Sequence, residues 1–221
     1  MHDVALTYQK ILNSVSRFGN GDSSLLMNSL GLDYKLNYGV SVPEIDKLAL
    51  CFEKSNELAV FLLNQSEREA KLLAFRLFEY NSSPEDFIND VINSITNTEI
   101  AEQAAMHYFV KLSGFFKIAQ KLINHTNEYC RLSAYLAIAR YVRINKSASD
   151  KVLWQILAQY KQSVYADESL PFIRAQLAML SAILLRNEEL RNKVHECIDN
   201  KSFTNNELKF FYKQELERFN N

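Results

Sequence analysis

The sequence predicts an all-α protein, because residues that form tight turns are scarce and signals that start helices are frequent. The 221 residues include only five Gly and three Pro, well below the average usage of roughly 7% and 5%, so strand meanders with their many tight turns are disfavoured. Four segments have the Ser/Thr-x-x-Glu pattern of a capping box, which satisfies unpaired N–H groups at a helix start. They are residues 41–44, 66–69, 96–99 and 204–207. We expect no strand in the chain.

Apolar periodicity between the start signals predicts thirteen helices joined by short polar connectors. The expected ranges are 3–17, 22–29, 43–53, 56–63, 67–79, 84–95, 99–111, 114–123, 127–144, 149–162, 168–186, 188–198 and 205–219. A chain of 221 residues is short enough to form one core. We therefore expect a single helical-repeat domain over residues 1–221.

The helices come in pairs, and three of the second members share a pattern in which one basic residue precedes small or apolar residues. The pattern occurs at residues 69–74, 129–134 and 172–177. The basic residues are Lys71, Arg131 and Arg174, and their uneven spacing is close to the roughly 40–47 residues of HEAT and armadillo repeats. The pattern predicts an α-solenoid whose second helices line a concave surface.

The formal net charge of −1 hides an asymmetry between the two halves of the chain. Residues 1–100 carry 8 basic and 14 acidic side chains, whereas residues 101–221 carry 17 basic and 12 acidic ones. Residues 103–166 alone have a net charge of +7, from Lys111, Lys117, Lys121, Arg131, Arg140, Arg143, Lys146, Lys151 and Lys161 against Glu128 and Asp150. This segment is a candidate anion-binding surface. The alternative is a solvated helical surface with skewed charge, since phosphate binding needs basic residues on one face.

Motifs of nucleotide-binding proteins, metalloenzymes and serine hydrolases are absent, so we expect no cofactor and no metal. The cysteines Cys51, Cys130 and Cys197 have no CxxC partner, and we expect them to be small buried hydrophobic residues. The N-terminus lacks the pattern of a signal peptide, and no apolar run approaches the ~20 residues of a membrane span. We expect a cytoplasmic monomer with no membrane segment.

Three segments, NYGVSVPE at residues 37–44, SEREAKLLA at 66–74 and PFIR at 171–174, resemble those of the AlkD-like DNA alkylation repair family of HEAT-like repeat DNA glycosylases. They occur in the family's order over most of the chain. The resemblance implies a HEAT-like solenoid that holds duplex DNA on a basic concave face. For active members it also implies hydrolysis of the N-glycosidic bond of cationic purines such as 3-methyladenine and 7-methylguanine.

The resemblance also implies positions for the active site, and several carry replaced residues. The family's tryptophan falls on Thr98, and the catalytic aspartate four residues later falls on Glu102. A second tryptophan, five residues after Arg174, falls on Met179, and the only tryptophan of the chain, Trp154, lies in another predicted helix. Two aromatic walls that would attract a cationic purine are therefore missing. The extra methylene of Glu102 also shifts the carboxylate.

We take Glu102 as the candidate catalytic carboxylate, which would stabilise an oxocarbenium-like sugar. The alternative for this residue is a first-turn acid that favours the helix dipole. The candidate DNA contacts are Arg131, Arg174, Lys111, Lys71, Thr98 and Met179.

The predicted function is binding of alkylated or structured double-stranded DNA in alkylation repair, with weak excision of 3-methyladenine or 7-methylguanine. Two alternatives stay open. One is a catalytically silent binder of DNA structures, and the other is a protein-interaction scaffold.

Overall fold

Helices dominate the computed structural model, which describes residues 2–32, 34–80, 85–145 and 148–219. These ranges contain thirteen α-helices and one short 3-10 helix. They contain no strand, and an isolated parallel bridge joins Leu36 to Glu67. The prediction of an all-α protein is confirmed. Within the same ranges, no helix combines the length and the apolar character that crossing a membrane requires.

The first of two compact units spans Met1–Ser113. Its helices are α1 (His2–Arg17), α2 (Gly21–Ser29), α3 (Val42–Ala49), α4 (Asn56–Leu63), α5 (Arg68–Leu77), α6 (Glu85–Ser94) and α7 (Thr98–His107), followed by the 3-10 helix Phe109–Lys111. Helix α5 packs against α1, α3, α4 and α7, and nine of its ten residues are buried. It is therefore the central helix of this unit.

The second unit spans Gly114–Asn221. Its helices are α8 (Phe115–Ile123), α9 (Glu128–Ile144), α10 (Asp150–Gln162), α11 (Leu170–Leu184), α12 (Glu188–Asn200) and α13 (Asn206–Glu217). The second helices of the pairs, α9, α11 and α13, form one layer, while the first helices, α8, α10 and α12, form another. Small buried residues such as Ala134, Ala137 and Ala175 allow α9 and α11 to approach closely. The expectation of one domain over residues 1–221 stays a prediction.

Two of the predicted capping boxes are displaced by one residue, because an asparagine takes the cap in place of a threonine. The side-chain oxygen of Asn97 accepts the N–H of Ile100 at the start of α7. In the same way, Asn205 accepts the N–H of Leu208 at the start of α13. Asparagine ranks above threonine at this position. Helix α7 also ends at His107 rather than at residue 111, and the chain continues as the 3-10 helix.

The other two boxes behave differently. Ser41 is the N-cap of α3, as predicted, but its hydroxyl donates to Glu44 instead of accepting a backbone N–H. At α5 the cap residue is Glu67, not the predicted Ser66, and it makes no side-chain cap hydrogen bond.

The expectation that all three cysteines are buried is correct for Cys130 and Cys197 and wrong for Cys51. Cys51 lies just past the end of α3, where the chain turns at the surface.

Candidate nucleic-acid interface

Two of the segments that carry the family resemblance meet at the start of α5, in the first unit. The N–H of Leu36 donates to Ser66 O at 3.3 Å, and the N–H of Arg68 donates to Leu36 O at 2.9 Å. The Glu69 carboxylate accepts the N–H groups of Tyr38 and Val40 at 3.2 and 3.1 Å. Because a helix start leaves N–H groups unpaired, the loop satisfies α5 where a side-chain cap is missing.

Gly39 is required at the turn of this loop. Its φ is +72°, and an added Cβ would lie 2.0 Å from Asn20 O. Such a contact is impossible for any residue with a side chain, so the glycine permits the loop to pass close to the start of α2.

Arg68 joins the loop, α5 and α7 from a buried position. Its guanidinium donates to Val40 O at 2.8 Å and to both carboxylate oxygens of Glu99 at 2.8 and 2.5 Å. Tyr34 adds a hydroxyl that donates to Glu99 at 2.7 Å. Burial alone would lower the pKa of Arg68, but the carboxylates of Glu99 and Glu69 more than offset it, and the net pKa is raised. Arg68 therefore fixes the start of α7.

The positions of the family's tryptophan and aspartate lie on α7. Thr98 is its first residue and is half-buried, and Glu102 follows four residues later with an exposed side chain. Residues four apart share one face of a helix. Glu102 makes no hydrogen bond or ion pair with any described residue. Partial desolvation, together with the nearby Glu99 carboxylate, raises its pKa, so this carboxylate holds its proton more tightly than an ordinary glutamate.

Lys71 and Lys111 both have protein partners. The Lys71 Nζ donates to Leu63 O at 2.5 Å, which satisfies a carbonyl at the end of α4, and burial lowers its pKa. The Nζ of the exposed Lys111 lies 4.8 Å from the ring centroid of Tyr80, within the range of a cation–π contact. DNA contact by either lysine stays a prediction.

Arg131 belongs to the core of the second unit. Its Nε and one Nη donate to the Asp167 carboxylate at 2.9 and 2.6 Å. The other Nη donates to the carbonyls of His125 and Thr126 at 2.7 and 3.0 Å. The guanidinium also lies 3.8 Å from the ring centroid of Tyr165. The Arg131 guanidinium therefore neutralises a buried carboxylate, and a phosphate contact by this arginine stays a prediction.

Met179 is buried as well. Its exposure is 0%, because it lies on the side of α11 that packs into the core. A DNA contact needs accessible surface, and contact of Met179 with a bound base stays a prediction.

Arg174 differs from both of these residues. It lies in the second turn of α11 with an exposed side chain and makes no hydrogen bond or ion pair with any described residue. The positive end of the helix dipole is nearby, so the dipole does not favour a cation there. Because the Arg174 guanidinium is exposed and has no partner among the described residues, it is available for a ligand.

Two arginines on the neighbouring helix α9, Arg140 and Arg143, share this surface. One Nη of Arg143 lies 3.4 Å from both Ala178 O and Ser181 Oγ on α11. Arg140 precedes Arg143 by one turn, and Arg174 precedes Ala178 by one turn, so both lie on the same side of their helices.

The two helices run in parallel, so the three arginines lie within about two helical turns of one another along the layer. Tyr135 on α9 contacts Asp167, which lies just before α11, and Arg143, farther along α9, contacts Ser181, farther along α11. The two helices therefore run in the same direction. We call the surface formed by Arg140, Arg143 and Arg174 the arginine face.

The two helices of this surface carry little negative charge. Helix α11 contains no acidic residue, and α9 contains only Glu128, in its first turn and far from Arg140. Asp167 is committed to Arg131. Neither helix therefore places a carboxylate close to the three arginines, which favours the binding of an anionic polymer.

The sequence reasoning counted Arg140 and Arg143 in the basic segment but did not select them. The signal available in the sequence was the spacing of three residues between Arg140 and Arg143, which places both on one side of a predicted helix near its end. The basic segment as a whole divides between two layers, because Lys117, Lys121, Lys151 and Lys161 lie on α8 and α10. Lys146 lies outside the described residues.

Comparisons with known proteins agree with the fold described above. A family described as "DNA alkylation repair enzyme" matches residues 11–164. A solved structure described as "A new family of proteins related to the HEAT-like repeat DNA glycosylases with affinity for branched DNA structures" matches with a TM-score of 0.73. The two sequences are 15% identical, and the match covers 95% of this chain and 94% of the other. The predicted HEAT-like fold is confirmed. No curated protein matches the sequence.

Proposed function

Because the chain belongs to the DNA alkylation repair family, we propose that it binds duplex DNA through phosphate contacts on the arginine face. The observation that carries this proposal is the positive charge of Arg140, Arg143 and Arg174 on two packed helices. Guanidinium groups donate two parallel hydrogen bonds to phosphate oxygens. Such contacts position a duplex without reading its sequence.

Excision of alkylated purines is the finer part of the proposal, with Glu102 as the carboxylate that acts. As the N-glycosidic bond breaks, positive charge develops on the sugar, and an ionised carboxylate stabilises it. The chain supplies little else of the expected site, since Thr98 has no ring and Met179 is buried. Each missing cation–π contact is worth roughly 0.5–2 kcal/mol. We therefore propose that excision is weak.

A catalytically silent binder of DNA structures is the second candidate function. The missing aromatic walls favour it, and the solved relative is described as having affinity for branched DNA. A protein scaffold is the third, and it applies if the arginine face binds no DNA.

DNA binding is tested with a fluorescently labelled duplex and its anisotropy at low salt. Arg174→Ala should weaken binding several-fold. Arg17→Ala is the matched control, because Arg17 is an exposed arginine in the last turn of α1, and it should bind as the wild type does. Equal effects of the two substitutions, or no binding by the wild-type protein, would contradict the proposal.

Excision is tested by measuring abasic sites released from methylated duplex. Any wild-type activity should be lost in Glu102→Gln, because the amide keeps the shape but removes the negative charge. Glu102→Asp keeps the charge and should retain part of the activity. Turnover that survives Glu102→Gln would show that another residue carries the reaction.

A further inference from the structure

The layer formed by α8, α10 and α12 carries a second group of basic residues, away from the arginine face. Lys117 and Lys121 are exposed on α8, which contains no acidic residue. Lys151 and Lys161 lie on α10. The side chain of Gln120 donates to Gln155 at 3.1 Å, which joins the surfaces of α8 and α10. The surface formed by α8 and α10 is therefore positive, whereas α12 carries the acidic residues Glu188, Glu189, Glu196 and Asp199 against Arg191 and Lys193.

A groove of about 300 Å³ lies between α10 and α12 in this layer. Its lining residues are Trp154, Leu157, Ala158, Lys161, Lys193, Glu196 and Cys197. The volume is at the lower end of the ~300–1,000 Å³ range of ligand pockets. We call it the tryptophan groove.

Trp154 is the only tryptophan of the chain, and 37% of its surface is exposed. Burial of a large aromatic side chain is strongly stabilising. A partly exposed indole at the edge of a groove therefore offers a flat apolar face to a ligand. Lys151 precedes it by three residues and Lys161 follows by seven, which places both lysines on the same side of α10. Trp154 therefore lies between two cations.

Two lysines, Lys161 and Lys193, and one carboxylate, Glu196, line the groove, and this excess of basic side chains favours an anionic occupant. Glu196 is paired with Lys193 at 2.9 Å, and its carboxylate also interacts with Lys161, which contributes to lowering the pKa of Glu196. Asp150, the acidic residue nearest to Lys151 along α10, accepts a hydrogen bond from Asn187 at 2.8 Å. Lys151 thus has no carboxylate partner among the described residues, while Lys161 shares the Glu196 carboxylate with Lys193.

We propose that the tryptophan groove binds single-stranded DNA, with one unpaired base stacked on Trp154 and the flanking phosphates contacted by Lys151 and Lys161. A basic groove combined with an exposed aromatic residue is the general arrangement for binding single strands. The two lysines lie about 15 Å apart along the helix, a length that about four nucleotides span at 3.4 Å each. The groove lies in a different layer from the arginine face, and the proposal stands without duplex binding.

The test uses the full chain and oligo(dT) of about 12 nucleotides, within the known range of site sizes. Because Trp154 is the only tryptophan, its fluorescence reports on this groove alone and should be quenched as a base stacks on it. Anisotropy of the labelled oligonucleotide measures affinity independently. Trp154→Ala should weaken binding by about five- to a hundredfold, since stacking is worth ≈ 1–3 kcal/mol per base. Trp154→Phe keeps a stacking surface and should bind more tightly than Trp154→Ala.

Matched controls separate this site from others. Lys161→Ala should weaken binding and flatten the salt dependence by about 0.7 in log–log slope, whereas Lys47→Ala, an exposed lysine of α3, should do neither. Phe210→Ala removes another exposed aromatic residue, on α13, and should leave affinity unchanged. Arg174→Ala should keep the quenching.

Three results would overturn the proposal: oligonucleotide binding without quenching, equal affinity of the Trp154→Ala protein, or quenching by a poly-glutamate peptide but not by oligo(dT). Circular dichroism establishes that each variant is folded before it is compared.

Discussion

The buried ion pair of Arg131 and Asp167 is the interaction whose loss we expect to cost the second unit most. Only 6% and 3% of the two side chains are exposed. In Arg131→Met, the Asp167 carboxylate keeps the hydroxyl of Tyr135 as a donor but loses its counter-ion. The carbonyls of His125 and Thr126 lose a donor as well.

The expected loss follows from these contacts. Removing one partner of a buried pair costs ~3–5 kcal/mol, because a charge remains without compensation. A total stability of ~5–15 kcal/mol is typical, so the variant should fold but with a much smaller margin. Arg174→Met, at an exposed position, should change the free energy of unfolding by less than about 0.5 kcal/mol.

Urea unfolding followed by circular dichroism measures both variants. The double variant Arg131→Met/Asp167→Leu should be less destabilised than the sum of the single variants, because no unpaired charge remains buried. An Arg131→Met protein that loses less than about 0.5 kcal/mol would refute the reasoning, since exposed residues show changes of that size.

Three further predictions concern the first unit. Gly39→Ala should destabilise the protein by at least about 2 kcal/mol, since it combines a strained φ with a clash against Asn20 O; an unchanged urea midpoint would contradict this. Lys71→Met should cost about 1.5–3 kcal/mol, the range for a hydrogen bond to a charged group, and a thermal melt like that of the wild type would show that the bond to Leu63 O is not important. Because its folded pKa is raised above 4.5, Glu102 makes stability fall as pH rises from that value. The melting temperature of Glu102→Gln should therefore fall less between pH 4.5 and neutral pH than that of the wild type. Identical melting profiles of the two proteins over this pH range would contradict the prediction.

Much of the fold follows from local signals in the sequence. The scarcity of Gly and Pro and the apolar periodicity predicted thirteen helices, and the structure has thirteen α-helices in its described residues. The caps were harder, since Thr96 and Asn97 are adjacent and the side chain of either can accept an N–H at a helix start. Which of them takes the N–H of Ile100 depends on backbone geometry that the residue types do not specify.

The candidate site was less predictable, because helical patterns do not say which contacts a side chain makes. Arg131 and Arg174 occupy the same place in the repeated pattern, yet one is buried and the other exposed. The difference arises from Asp167, which comes 36 residues after Arg131 and lies in the connector before α11. Whether a charged side chain is buried depends on such a partner far away in the sequence, and folding brings the two together.

Salt dependence of duplex binding tests the arginine face most directly. The affinity is measured over a series of salt concentrations for the wild-type protein and for Arg140→Ala/Arg143→Ala/Arg174→Ala. If each arginine contacts one phosphate, the log–log slope should flatten by about 0.9 per residue, or about 2.7 for the three. A slope that is the same in both proteins would contradict phosphate binding by the arginine face.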